Sequence, residues 1–234
     1  MVLDTDGVIT DSARAHAGAW KTAFDAFLRG HPPAEYAQRR PFDTHEDYLR
    51  YVDGKSRQDG AASFLASRGL QLSDATVAEV AADKERLFVE RLREGVIPAY
   101  PGTLRLVHVL RARGVRLAAA SASRHARELL RRTEVLPLFD ALVDGGEAAR
   151  LKLPGKPDPA LFLEAARRLG SPPERTAVVE DALAGVEAGR RGGFGLVIGV
   201  DRTGGATTGA ELRRHGADIV VSDLAELLTE GARP

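Results

Sequence analysis

The sequence predicts an α/β protein: a Rossmann-like, doubly wound parallel sheet into which a helical domain is inserted. From about residue 99 onward, short apolar runs alternate with amphipathic stretches, a pattern typical of parallel strand–helix–strand units. Residues 13–98 hold helical patterns and no convincing strand. Two aspartates close the first apolar run, at the kind of strand end where open α/β sheets bind ligands. We therefore expect residues 1–12 and 99–234 to form one sheet-based core and residues 13–98 a helical domain.

Each predicted element has a signal in the sequence. The first strand is short, because only Val2 and Leu3 precede Asp4, which suggests a natural start a few residues upstream. Apolar runs predict the later strands at 115–120, 141–143, 176–179, 196–200 and 217–221. Amphipathic periodicity predicts core helices at 103–113, 125–133, 159–169, 183–191 and 223–228, and inserted helices at 15–28, 58–68 and 76–92. The helix at 159–169 is the best marked, since Asp158-Pro159 opens it and Gly170 closes it.

Composition excludes several functional classes. The 234 residues include 33 basic and 33 acidic side chains, so the chain lacks the basic surplus with which nucleic-acid binders neutralise phosphates. It has no cysteine, which excludes disulfides, cysteine-ligated zinc and thiol chemistry. The apolar runs are too short to span a bilayer, and carboxylates stand where a signal peptide needs basic and apolar residues. We expect a monomeric cytoplasmic protein that binds a small molecule, with no nucleic-acid or membrane partner.

Lysine is rare in this chain, and its positions form a shortlist. Of the 33 basic residues only five are lysine, namely Lys21, Lys55, Lys84, Lys152 and Lys156. Either they remain by chance, or some of them stand where a compact ammonium cannot be replaced by the guanidinium fork of arginine.

The segment Asp4-Thr5-Asp6-Gly7-Val8 carries the strongest chemical signal. With 17 aspartates in 234 residues, about one Asp-x-Asp pattern is expected by chance. The significance of this segment therefore comes from its position at the end of the first strand. Two neighbouring carboxylates repel each other, and oxygen ligands of this kind suit Mg²⁺ completed by a substrate phosphate. The alternative is a solvated turn in which an aspartate caps a helix.

Three further strand ends repeat the pattern. Ser121-Ala122-Ser123 follows the second predicted strand at a helix start, a geometry that binds anions, although a simple helix cap would explain the serines as well. Lys156 lies in the proline-rich loop 152–159, where it is either a fixed point charge for an anion or an exposed loop lysine. Glu180-Asp181 ends a buried strand in two acids, which is costly unless they meet a cation. Four such signals at four strand ends together predict one phosphate-binding and cation-binding site.

These residues resemble the four motifs of the haloacid dehalogenase-like phosphotransferases. Asp4-x-Asp6 is similar to the first motif of that family, Ser121 to the second, Lys156 to the third and Glu180-Asp181 to the fourth, in the same order and with similar spacing. The resemblance covers essentially the whole chain, and the inserted helices are similar to the small helical cap of the family. Within the family, the segments that begin at Asp4, His16, Gly54 and Ser121 are most similar to the β-phosphoglucomutase-like subfamily.

The resemblance implies a role for each core residue. Asp4 would be the nucleophile that forms an aspartyl-phosphate, and Asp6 the general acid and base. Mg²⁺ would be the cofactor, held by Asp4, the backbone carbonyl of Asp6 and Asp181, with Glu180 close by. The remaining phosphoryl oxygens would be bound by residues of the second and third motifs, Ser121, Ala122 and Lys156.

The resemblance also implies substrate-binding residues in the cap and hinge. Arg57 and Lys84 are candidates for a second phosphate site, and His16 is similar to the histidine that aligns the acid–base aspartate. The remaining candidates for substrate contacts are Trp20, Gly54 and Ser123, with Lys21, Lys55 and Arg86 as weaker ones. The alternative for each charged residue is a solvated helix face. Departures from the subfamily pattern at Asp53, Lys55, Gly60, Arg124 and His125 leave open both the sugar and the choice between mutase and phosphatase activity.

Three functions are compatible with these residues. The leading hypothesis is Mg²⁺-dependent isomerisation of β-glucose 1-phosphate to glucose 6-phosphate, as in the β-phosphoglucomutase-like subfamily. The second is a sugar-phosphate phosphatase, in which water reaches the phospho-aspartate. The third, from another class, is a non-catalytic phosphate-binding module.

Overall fold

The computed structural model describes residues 1–95, 97–203 and 206–229 and contains one parallel sheet within them. Its six strands lie in the order β3-β2-β1-β4-β5-β6, and every neighbouring pair is parallel. The strands are β1 (Val2–Asp4), β2 (Ala118–Ala120), β3 (Ala141–Val143), β4 (Ala177–Glu180), β5 (Leu196–Val200) and β6 (Ile219–Val221). The helices are α1 (Ala13–Gly30), α2 (Arg57–Ser67), α3 (Asp74–Glu94), α4 (Pro101–Ala112), α5 (Ala126–Arg132), α6 (Gly145–Arg150), α7 (Ala160–Arg168), α8 (Leu183–Arg191), α9 (Ala206–His215) and α10 (Glu226–Thr229). None of the helices in the described part of the chain is long and apolar enough to cross a membrane.

The chain folds into two compact units. The core unit comprises Met1–Asp11 and Ile97–Pro234 and contains the sheet, whereas the helical unit comprises Ser12–Val96. Within its described residues the helical unit forms no strand.

The strands of the core unit are apolar because both faces of the sheet are covered. Successive residues of β1 point to opposite faces, so Val2 joins one buried cluster with helices α7 and α8, and Leu3 joins the other with α4 and α5. Val178 and Val179 of β4 divide between the same two clusters. Burying a side chain of this size contributes about 1.5–3 kcal/mol, and helices on both faces make the fold doubly wound, as predicted.

The strand order places β1 at the centre of the sheet. Asp4 lies opposite Ala120 of β2, and on the other side Leu3 lies opposite Val179 of β4. Between β1 and β4 the direction in which strands are added reverses, and open α/β sheets bind ligands beyond the carboxyl ends of the strands at such a point.

The helical unit has an aromatic core. Trp20 stacks on Phe24 with ring centroids 4.7 Å apart, and the ring centroids of Phe24 and Phe64 are 4.1 Å apart. Beside this cluster the buried carboxylate of Asp47 accepts hydrogen bonds from two guanidinium groups, those of Arg40 and Arg68. Arg68 is buried as well, and removing one partner of such a buried pair costs about 3–5 kcal/mol, so this contact fixes the loop between α1 and α2.

In the core unit the start of one strand was predicted wrongly and two helices were not predicted, each for a physical reason. The second strand begins at Ala118 rather than 115, because the amide of Leu117 donates to the Asp140 carboxylate instead of to a neighbouring strand. Helix α6 was not predicted, since it begins with two glycines, yet the Asp144 side chain caps its amides and allows it to form. Helix α9 was also missed, because threonine and glycine at its start have low helix propensity.

Candidate active site

A tight turn after β1 brings two aspartates together. The carbonyl of Thr5 accepts hydrogen bonds from the amides of Ile9 and Thr10, at 2.9 and 2.8 Å. The amide of Asp6 donates to Asp4 Oδ2 at 2.9 Å, so the Asp4 carboxylate is held by the chain that follows it. Gly7 adopts a φ of +84°, a left-handed conformation that favours glycine and lets the chain reverse here.

Lys156 lies between two buried carboxylates. Its ammonium donates to Asp4 Oδ1 and to Glu180 Oε1, each at 2.5 Å, and only 1% of its side chain is exposed. Burial alone would lower the pKa of Lys156, but the charges of Asp4 and Glu180 raise it above its ordinary value. Burial, together with the charges of Glu180 and Asp6, raises the pKa of Asp4, and Lys156 opposes that rise. The exposed loop lysine considered above is therefore the wrong interpretation. The expectation that Lys156 follows a strand was also wrong, because it lies in the loop between α6 and α7, from which it places a fixed positive charge at the end of β1.

The two acids at the end of β4 have different surroundings. Glu180 is fully buried, and its Oε2 accepts the amides of Asp181 and Ala182 at 2.7 and 2.8 Å, just before α8 begins. Gly185 makes room for it, because a Cβ there would lie 1.7 Å from Glu180 Oε1. Asp181 is half-buried and packs against Gly7, where a Cβ would lie 1.7 Å from Asp181 Oδ2.

Ser121 links the end of β2 to Asp6. Its hydroxyl donates to Asp6 Oδ2 at 3.1 Å and accepts the amide of Ser123 at 3.0 Å. Helix α5 begins at Ala126 with His125 as its N-cap residue, so Ser121 does not cap that helix. The serine is instead a buried hydroxyl beside the carboxylates.

The acidic cluster fits a divalent cation. Asp4, Glu180 and Asp181 each offer a carboxylate oxygen, and these oxygens all lie within 4.8 Å of one another. An all-oxygen donor set with an excess of negative charge suits Mg²⁺. The two glycines that border Asp181 and Glu180 leave the space that these carboxylates occupy.

Three predicted residues of the helical unit form one buried group. Lys84 Nζ lies 2.8 Å from His16 Nδ1, and it lies over the rings of Trp20 and Phe88 at 5.2 and 4.8 Å from their centroids. His16 stacks on Phe88 with centroids 3.9 Å apart. For Lys84, a solvated helix face is therefore wrong, since the residue is 4% exposed.

The other predicted residues of the helical unit have local partners. Arg57 is the first residue of α2 and pairs with Glu85 at 2.7 Å, and Gly54 has a φ of +68° in the preceding loop. Among the weaker candidates, Lys21 donates to Asp25 and to the carbonyl of Phe42, whereas Lys55 donates to Ser63. Arg86 pairs with Glu90 on an exposed face of α3, so a solvated face is the correct interpretation there.

Sequence reasoning missed two contributors to the site. Gly185 was not singled out, because an isolated glycine in a helix carries no sign of what packs on it. Arg202 donates to the carbonyl of Gly7 at 2.8 Å, and it follows β5 by two residues. The rule that singled out polar residues after β1, β2 and β4 would have found it, had it been applied to β5.

Gly7→Ala is expected to destabilise the protein and to displace Asp181. A Cβ at this position meets the Asp181 carboxylate and requires a left-handed backbone conformation, which costs about 1–2 kcal/mol on its own. In thermal unfolding the melting temperature should therefore fall further than it does in Gly114→Ala, where φ is +72° and nothing lies within 4 Å of the new Cβ. Equal drops for the two variants would show that Asp181 does not depend on Gly7.

Known proteins resemble this chain over nearly its whole length. A family model described as haloacid dehalogenase-like hydrolase matches residues 1–193. The chain is 42% identical to the β-phosphoglucomutase of Mycobacterium tuberculosis (strain CDC 1551 / Oshkosh) over 97% of this chain and 90% of that protein. It is 28% identical to the phosphorylated carbohydrates phosphatase of Thermotoga maritima, over 86% and 84% of the two chains. Its fold is similar to that of a hydrolase from Pseudomonas syringae, with a TM-score of 0.79 and 26% identity over 98% and 95% of the chains.

Proposed function

This chain belongs to the haloacid dehalogenase-like hydrolase family, and we propose that it transfers the phosphoryl group of a sugar phosphate through a covalent intermediate on Asp4. It is an enzyme of the phosphotransferase or phosphatase type. The observation that carries the proposal is the buried Asp4 carboxylate, held between the Lys156 ammonium and the Asp6 amide beside two further carboxylates.

In this proposal Asp4 attacks phosphorus and Asp6 moves the proton. The Asp4 carboxylate forms a bond to phosphorus as the bond from phosphorus to the leaving oxygen breaks. Asp6 gives its proton to that oxygen and later takes one from the next acceptor, a sugar hydroxyl or water. The hydrogen bond from Ser121 to Asp6 supports this assignment, because it fixes the orientation of the carboxyl group.

The charges around Asp4 support binding of an anionic substrate. Lys156 supplies a buried positive charge, and we propose that it binds phosphoryl oxygens together with Ser121 and the backbone of Ala122. Asp4, Glu180 and Asp181 would hold Mg²⁺, with the carbonyl of Asp6 as a further ligand. When bound, the cation would offset the repulsion between the carboxylates and the phosphoryl group.

A mutase needs a second phosphate-binding group, because its bisphosphate intermediate must bind in two orientations. We propose Arg57 for this role, with Lys84, His16, Trp20, Gly54 and Ser123 as further substrate-binding residues. The identity of 42% with a β-phosphoglucomutase supports isomerisation of β-glucose 1-phosphate to glucose 6-phosphate. The similarity to a phosphorylated carbohydrates phosphatase supports the alternative, hydrolysis of a sugar phosphate.

³¹P NMR distinguishes these activities. The purified protein is incubated with Mg²⁺, β-glucose 1-phosphate and a trace of the glucose bisphosphate. We expect the glucose 6-phosphate signal to grow without free phosphate. Inorganic phosphate alone would assign a phosphatase, and an unchanged spectrum over many hours would exclude β-glucose 1-phosphate as the substrate.

Arg57→Ala is expected to lower mutase turnover about 100-fold while changing hydrolysis of a small aryl phosphate less than about threefold. The guanidinium would contact only a substrate that carries a second phosphate, and loss of one positioning contact costs about this much. Steady-state kinetics on both substrates measures the difference.

Two further variants control this experiment. Arg29→Ala removes an exposed arginine from the last turn of α1 and should change neither activity. Glu85→Gln removes the carboxylate that pairs with Arg57, so it should lower KM for the bisphosphate. If Arg57→Ala reduced both activities equally, Arg57 would have no role specific to the second phosphate.

A further inference from the structure

We propose that Arg202 is a positioning residue: its guanidinium holds the turn after β1 so that Asp6 can exchange its proton with the substrate oxygen. The inference rests on the proposed acid–base role of Asp6. It concerns a residue that lies outside the four motifs.

Arg202 donates to successive carbonyls of that turn. Its Nε lies 2.8 Å from the oxygen of Gly7, and one terminal nitrogen lies 3.3 Å from the oxygen of Val8. The other terminal nitrogen donates to the carbonyl of Ser222 at 3.2 Å, beyond the end of β6. A rigid planar group therefore ties the turn after β1 to the loop after β6, and a single ammonium could not make these bonds in the same geometry.

A second set of contacts orients the guanidinium. Its central carbon lies 3.7 Å from the centroid of the Tyr100 ring, and Tyr100 donates its hydroxyl hydrogen to Asp11 at 2.9 Å. Around them the backbone is paired, because the amide of Tyr100 donates to Ile9 and that of Asp11 to Pro98, both at 2.9 Å. These hydrogen bonds pair the segment that precedes the helical unit with the segment that follows it, and the Arg202 guanidinium packs on Tyr100 of this paired region.

The turn that Arg202 holds is the one that positions the chemistry. Asp6 lies inside it, its amide donates to Asp4, and Gly7 packs directly on Asp181. If the Gly7 carbonyl lost its donor, the turn would relax and Asp6 would move relative to Asp4 and Ser121. A displacement of about 1 Å can cost about 100-fold in rate.

The first phosphoryl transfer to Asp4 tests this proposal. In that step Asp4 bonds to phosphorus, the bond to the leaving oxygen breaks, and Asp6 protonates that oxygen if it is a poor leaving group. Rapid-quench kinetics on Arg202→Lys therefore compares an alkyl phosphate, β-glucose 1-phosphate, with p-nitrophenyl phosphate, whose leaving group needs no proton. We expect the rate to fall about 10–100-fold on the alkyl phosphate and less than about threefold on the aryl phosphate. KM for either ester should change less than about threefold.

Two comparisons separate positioning from a general structural role. Asp6→Asn should discriminate between the two esters in the same way, and adding Arg202→Lys to it should cause no further loss, because both changes remove one function. Arg168→Lys is the matched control, since Arg168 is also half-buried and donates to a backbone carbonyl, that of Leu142 in β3. It should lower both rates by the same small factor.

Three outcomes would overturn the proposal. They are equal losses of Arg202→Lys on both esters, a further loss when it is combined with Asp6→Asn, and unchanged hydrogen exchange of the Ile9 and Thr10 amides. We expect those amides, which donate to Thr5, to exchange about tenfold faster in Arg202→Lys. If the parent protein transferred no phosphoryl group at all, the proposed function would fail, and the exchange measurement would still decide whether Arg202 holds the turn.

Discussion

Asp4→Asn is expected to lower phosphoryl transfer and hydrolysis at least about 10⁴-fold, because an amide cannot act as the nucleophile. The fold should persist. In the parent both Asp4 oxygens accept hydrogen bonds, so the variant loses one hydrogen-bond acceptor. The variant also removes the charge repulsion between Asp4 and the carboxylates of Glu180 and Asp6. The change in unfolding free energy should therefore stay within about 1–3 kcal/mol.

Mass spectrometry of the quenched reaction provides the direct measurement. The peptide that contains Asp4 should carry a phosphoryl group in the parent protein and none in Asp4→Asn. Asp140→Asn is the matched control, because Asp140 lies at the amino end of β3, at the opposite edge of the sheet, and accepts the amide of Leu117. It should retain full turnover. Residual turnover of Asp4→Asn above about 1% would remove Asp4 from the nucleophile role.

The candidate site was predictable from the sequence to the extent that it depends on strand ends. In a parallel sheet all carboxyl ends meet at one edge, so locating β1, β2 and β4 was enough to bring Asp4, Ser121 and Glu180 together. Lys156 was placed by its loop between two predicted elements. For these residues, secondary structure alone determines proximity.

The remaining features depend on side-chain pairs that are distant in the chain. The pairing of Arg57 with Glu85 and the burial of Lys84 against His16 follow from how α1, α2 and α3 pack, and no local pattern encodes that packing. Arg202 reaches Gly7 across 195 positions of sequence. The boundary of β2 was misplaced for a related reason, because a side chain, Asp140, took the amide that the apolar pattern assigned to a strand.

Lys156→Met is expected to lower the unfolding free energy by about 3–5 kcal/mol when a chelator keeps divalent cations away. Methionine preserves most of the volume beside Phe162, so packing changes little. The large effect arises because Asp4 and Glu180 remain buried without the ammonium that contacts both of them. Urea unfolding at neutral pH measures it, and Lys152→Met, at an exposed position of the same loop, should change the free energy by less than about 0.5 kcal/mol.

The pH dependence of this difference tests its electrostatic origin. Burial and the loss of Lys156 both raise the pKa of Asp4, so the variant loses stability as pH rises above the ordinary carboxyl value of 3.8 and regains it at lower pH. The parent loses stability in the same direction but at the alkaline end: because the pKa of Lys156 is raised, its contribution is complete below 10.5 and is lost as pH rises further. The two stability curves should therefore approach each other at both extremes and differ most near neutrality. A difference that stayed constant with pH would mean that Lys156 stabilises the site through packing, and its proposed role as a charge for the phosphoryl group would lose its basis.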